Sequence, residues 1–130
     1  MLSAIRSSLS GMMAASKRLE VSAANVANVR TTGKVPDATG ASNAYAPAVV
    51  SQTATASGVA TQVTTKPQPY RLAYDPDSPN ANADGLVAEP NVDLTSEVVN
   101  QISAKFAYEA SVKTLKVADE MTQKTLDILS

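Results

Sequence analysis

All seven prolines of this 130-residue chain, Pro36, Pro47, Pro67, Pro69, Pro76, Pro79 and Pro90, lie between two proline-free ends whose apolar residues keep helical spacing. Proline removes a backbone donor and clashes with the preceding turn, so long helices are confined to the ends and the middle is left to strands and turns. In the N-terminal stretch Leu2, Ile5, Leu9, Met12, Leu19 and Val26 recur at intervals of three, four and seven, with the small residues Ser16 and Ala23 completing the series. This is a coiled-coil-like seam, narrower than a core-facing stripe, and its small members allow a second helix to come close. Ser3 is a candidate N-cap. The run from Asn25 to Gly33 mixes asparagine, threonine and glycine and ends the helix.

Towards the C-terminus Asp93 is suited to cap a helix, and Glu97 falls in its first turn, at the positive end of the dipole. Nothing breaks that helix before Leu129. One apolar line runs through Tyr108, Val112, Leu115, Leu126 and Leu129, and a second through Ile102, Phe106, Ala110, Val117, Met121 and Ile128. A single partner helix covers one narrow seam. At 1.5 Å per residue this helix is about 54 Å long against about 39 Å for the first, so part of it finds cover outside the chain.

Between the helices, residues 46–53 and 59–65 read as short strands, the second with Val59, Thr61 and Val63 on one face, and Tyr70, Leu72 and Tyr74 alternate in a third. Asp84-Gly85 ahead of Leu86-Val87 signals a turn. Residues 33–44 and 53–58 are Ala-, Ser-, Thr-, Asn- and Gly-rich, with little to bury, and read as loops. The expected organisation is a helix and turn over 1–33, an extended segment over 34–67, a short β and turn segment over 68–92 and a helix over 93–130. The fold class is mainly α with a small β element, its long terminal helices paired antiparallel.

The hydrophobic content of 44% overstates the core, because 22 of those residues are alanine. Leu, Ile, Val and Phe together number 27, about a fifth of the chain, near the level at which disorder becomes the default. The aromatics are only Tyr45, Tyr70, Tyr74, Phe106 and Tyr108. Such a chain is stabilised by its neighbours. A net charge of −1 with scattered basic residues offers no surface for nucleic acid or anionic lipid. No run reaches the length needed for direct membrane insertion, and no secretory signal is evident.

Catalytic chemistry finds few residues to work with. Histidine and cysteine are absent, removing the commonest general base, metal ligands and the thiolate nucleophile. The paired carboxylates Asp75 and Asp77 sit in a proline-broken loop, and Asp119 and Glu120 point apart on a helix. The stretch Asn80-Ala-Asn82-Ala-Asp84-Gly85 imitates the start of a calcium loop, but Asn80 and Asn91 stand where carboxylates are needed. No enzyme, metal or cofactor is expected.

The block Leu19-Glu-Val-Ser-Ala-Ala-Asn25-Val-Ala-Asn28-Val-Arg-Thr-Thr-Gly33 resembles the signature of the flagellar axial proteins of bacteria, an Asn-aliphatic-Ala-Asn core before a Thr-x-Gly turn. Arg30 and Lys34 depart from it. Residues 70–79, from Tyr70, residues 83–93, with Pro90, Asn91 and Asp93, then 98–104, and Tyr108-Glu-Ala110 resemble the proximal rod proteins in order and spacing. The resemblance implies a non-enzymatic subunit of the basal-body rod in the periplasm, exported by the flagellar type III apparatus without signal cleavage. It implies as partners other rod subunits and copies of itself, the junction with the MS-ring and export gate, and the surrounding rings. The helical seams would then be subunit interfaces. A second reading is a cytoplasmic flagellar export adaptor or chaperone that offers a helical groove.

Overall fold

The computed structural model describes residues 2–37 and 42–129, in the order α1 (Leu2–Ala27), β1 (Ala48–Thr55), β2 (Gly58–Thr65), β3 (Tyr70–Tyr74), β4 (Leu86–Pro90) and α2 (Leu94–Leu129). Within the extended segment expected over 34–67, residues 38–41 lie outside the described residues. The two terminal helices are the long elements, and the strands form two separate antiparallel pairs. Helix α1 starts at Leu2, so Ser3 lies inside the first turn and does not cap it.

Asp93 does cap α2. Its Oδ2 accepts from the Ser96 hydroxyl at 2.6 Å and its Oδ1 from the Thr95 amide at 3.1 Å, while the Glu97 amide donates to the Asp93 carbonyl at 3.0 Å. The Ser96 hydroxyl first, then the Thr95 amide, hold the Asp93 carboxyl below its usual range. A lowered carboxyl supports the fold fully above the ordinary carboxylate range and loses that support on acidification through the lowered value. Amide exchange at Thr95 to Glu97 should accelerate in that acid window while mid-helix amides stay protected. In Asp93→Ala those amides should exchange fast at every pH.

Helices α1 and α2 run antiparallel. Ser22 donates to the Glu97 carbonyl at 3.1 Å near one end of the pair, Gly11 meets Ser111 midway, and Ile5 shares a depression with Leu115 and Asp119 towards the other end. The seam differs from the one expected. Its buried members are Ser8, Ala15 and Ser22 on α1 and Ala104 and Ala118 on α2. They recur every seven residues, with Ser111 between the last two. A methyl group on Gly11 would stand 2.9 Å from the Ser111 Oγ. Ser16 and Ala23, the small positions of the expected seam, are exposed. Small side chains win because they let the backbones approach, which multiplies weak dispersion contacts along both helices.

Strands β1 and β2 form a hairpin paired from Ala48 with Thr65 to Thr55 with Gly58, turning through Ala56 and Ser57. Residues 53–58, expected as a loop, therefore belong mostly to strands, because β-branched threonines and Gly58 at φ 134° close the ladder to its tip. The hairpin leans on α1: the Val59 amide donates to the Ser10 Oγ at 3.1 Å, and the Gln52 side chain donates to the Ala14 carbonyl at 3.5 Å.

The second pair, β3 with β4, carries the small core, in which Val87 and Ala88 have no exposed surface and Pro90 is fully enclosed. Strand β4 was expected only as the end of a turn. It is completed from far away in sequence, since Gly33 and Ala88 exchange two backbone bonds of 2.9 Å. The Asp84-Gly85 turn forms as expected, with Gly85 at φ 73° and the Asn82 Oδ1 accepting from the Asp84 and Leu86 amides at 2.9 Å each. That use of Asn82 is structural, and among the described residues no three carboxylates gather at one point.

Candidate assembly interface

A helix pair closed by Ala, Ser and Gly has no interior space for large side chains, so they are turned outward. Leu9 is 51% exposed, Phe106 64% and Ile128 84%. Leu2, Leu19, Ile102, Tyr108, Val112, Val117, Met121 and Leu126 are exposed as well, whereas Ile5, Met12, Val26 and Leu115 are half-buried. The side chain of Leu129 lies outside the described residues.

These residues fall on two sides. Along one flank of the helix pair, three shallow depressions of about 430, 350 and 530 Å³ follow one another. The first two share Ser16 and Tyr108; Leu19 lines one and Leu9 and Met12 the other. The third is lined by Ile5, Val112 and Leu115. Exposed ion pairs, Lys17 with Glu20 at 2.8 Å and Lys105 with Glu109 at 3.9 Å, stand at the rims. Ile102 and Phe106 lie on the far side of α2, about 160° round the helix from Ala104, while Val117 and Met121 lie about 100° and about 60° from Ala118, on the flank opposite the groove. The last turns of α2, with Leu126 and Ile128, continue past the start of α1.

The geometry of the pair is set by Asn25, 2% exposed at the end of α1. Its Nδ2 donates to the Ala48 carbonyl at 2.9 Å and to the Glu97 Oε1 at 2.7 Å; its Oδ1 accepts from the Tyr45 hydroxyl at 3.0 Å and the Ala48 amide at 3.1 Å. All four capacities of the amide are used, joining α1, β1 and α2 at one point. Burial first, then the Glu97 carboxylate, push the Tyr45 phenol above its usual pKa, which keeps it a donor to Asn25.

The other motif residues also have structural work. Asn28 donates from Nδ2 to the Ala24 carbonyl at 2.9 Å and closes the last turn of α1. Gly33 packs so tightly that an added methyl group would fall inside the backbone of Ala44. Asn91 donates to the Gln68 carbonyl at 3.1 Å, and its own carbonyl accepts from the Lys66 Nζ at 2.9 Å, which ties the start of α2 to the segment before β3. Tyr70 pairs with Pro90 at the end of the β3–β4 ladder, and Tyr108 floors the groove rather than the internal seam.

Sequence reasoning passed over the small seam residues and the partners Tyr45 and Glu97. The seam had a signal in the seven-residue repeats of Ser8, Ala15 and Ser22 and of Ala104, Ser111 and Ala118. The Asn25 partners had none, being separated from it by 20 and 72 residues.

Residues 5–33 match the family described as "Flagella basal body rod protein", and residues 83–128 match "Flagellar basal body rod FlgEFG protein C-terminal". The chain is 41% identical over 127 residues to the flagellar basal-body rod protein FlgC of Yersinia enterocolitica, covering 92% of this chain and 90% of that protein. It is 39% identical to the protein of that name from Salmonella typhimurium, with the same coverage. To the one from Bacillus subtilis it is 39% identical over 67 residues, or 52% of this chain.

Proposed function

The chain belongs to the flagellar basal-body rod proteins, and from that premise we propose that it builds the proximal part of the rod through the outward apolar faces of its helix pair. It is a structural subunit of the basal-body rod. The observation that carries the interface is the small seam between α1 and α2, which leaves Leu9, Phe106, Tyr108 and Ile128 nothing to cover inside the chain. Neighbouring copies and other rod subunits cover them. Contacts of this kind join unlike patches, so they propagate helically around a tube instead of closing a dimer. Long helices packed lengthwise then form a shaft suited to carry torque.

In this reading the subunit acts without catalysis or cofactor in the periplasmic rod and reaches it through the flagellar type III apparatus. Its ends meet the MS-ring and export-gate junction and the surrounding rings. No helix among the described residues is long and apolar enough to cross a membrane. The reading as an export adaptor finds no support among the relatives.

Two substitutions test the interface. Leu115→Asp places a charge in the groove and Phe106→Asp places one on the exposed far side, where a neighbour would bury it unpaired. Each should abolish rod assembly and swimming while secretion and monomer helix content stay unchanged. Normal motility in both variants would reject the interface.

A further inference from the structure

The hairpin of β1 and β2 is exposed along most of both strands. In an antiparallel ladder, pairs that exchange hydrogen bonds alternate with pairs whose main-chain polar groups point outward. The Lys66 amide donates to the Pro47 carbonyl at 2.8 Å, so the next pair, Ala48 with Thr65, turns outward, and so does every second pair after it. Two contacts agree: Asn25 takes both main-chain groups of Ala48, and Ser10 accepts from the Val59 amide. The remaining outward residues are Val50, Gln52 and Ala54 on β1 and Thr61, Val63 and Thr65 on β2. Among the described residues nothing bonds their outward main-chain groups.

Neither strand carries a charge, and proline appears in neither, although charges and prolines are the usual devices that close an open sheet edge. A two-stranded hairpin is also marginal in water by itself. We propose that the β2 edge receives the β1 edge of a second copy, with Thr61, Val63 and Thr65 pairing with Ala54, Gln52 and Val50 of that copy. The occupant follows from the match. Each edge offers three free positions at the same two-residue interval, and repeating the hairpin sideways preserves antiparallel alternation.

The register between copies is offset by two residues from the one within the chain, where Thr61 pairs with Gln52. Such an offset tilts strands against the direction of growth, as a sheet that curves round a tube requires. Each copy gives one edge and receives another, so the contact propagates. The inference rests on the reading that copies stand side by side in the rod.

In this register Gln62 of one copy faces Thr53 of the next across a close pair, within reach of a disulfide. Both side chains are exposed, and the chain has no cysteine of its own. Basal bodies purified from the bacterium expressing a mixture of Thr53→Cys and Gln62→Cys chains should give a cross-linked pair on oxidation, and neither variant alone should. A pair formed by Gln62→Cys alone, or no pair in basal bodies that contain both chains, overturns the inference and leaves the rod reading standing. Absence of the chain from basal bodies overturns both. Adding Val63→Pro removes an outward donor without touching the ladder, so the cross-link should be lost while the monomer melts as before. Persistence of the cross-link would also overturn the inference.

Discussion

Asn25→Asp should destabilise the monomer by about 3–5 kcal/mol, the range for a buried charge left without compensation. The wild-type Nδ2 faces the Ala48 carbonyl at 2.9 Å and the Glu97 carboxylate at 2.7 Å. An aspartate oxygen there meets two acceptors and a like charge, and no rotation of the side chain finds a donor for both oxygens. Against a total stability of about 5–15 kcal/mol for a domain, much of the fold is at stake. The defect should depend on pH. Burial beside Glu97 raises the introduced carboxyl, so the penalty is absent while the group is protonated and grows as pH rises through its raised value. Asn25→Ala should cost about 1–3 kcal/mol with no such dependence. Thermal unfolding of both variants across the acid range separates the two, and equal losses at all pH would show that the Glu97 contact is unimportant.

Gly33→Val should be comparably damaging, at more than about 3 kcal/mol, through steric conflict instead of charge. The obstruction is the main chain of Ala44, which cannot rotate away as a side chain would. Relief requires moving Gly33, and that breaks its two 2.9 Å bonds with Ala88, the residue at the centre of the small core. The expected readout is selective: amides of β3 and β4 lose protection first, while the middle of the α1–α2 pair retains it. A uniform loss of protection would mean that the two parts unfold as one.

The terminal helices were legible because proline placement is a strong and local constraint, and the Asp93 cap and the Asp84-Gly85 turn were legible for the same reason. The internal seam was not. A search that ranks residues by apolar size follows Leu2, Leu9 and Leu19, although Ser8, Ala15 and Ser22 carry the tighter seven-residue repeat. Burial per residue misled because closeness of the backbones, not side-chain area, decides which faces meet. Strand β4 was hidden for another reason: Ala88 finds Gly33 across 55 positions of the chain, and no local pattern reports such a pairing. The Asn25 motif was visible as a string of letters. Its four bonds are what make the letters necessary.

The small-residue seam between the helices inverts the usual map of mutational tolerance. In most domains, trimming the bulkiest apolar side chains does the harm and enlarging the smallest surface ones does little. Here the isolated chain should scarcely register the loss of outward groups such as Phe106 and Ile128, whereas bulk added along the Gly11 and Ser111 contact, beyond the single methyl that the Ser111 hydroxyl can rotate to clear, would force the helices apart. Under the proposed interface the bulky positions would answer to the assembled structure, so selection on them would act through the finished organelle, and that on the tiny ones through the single molecule.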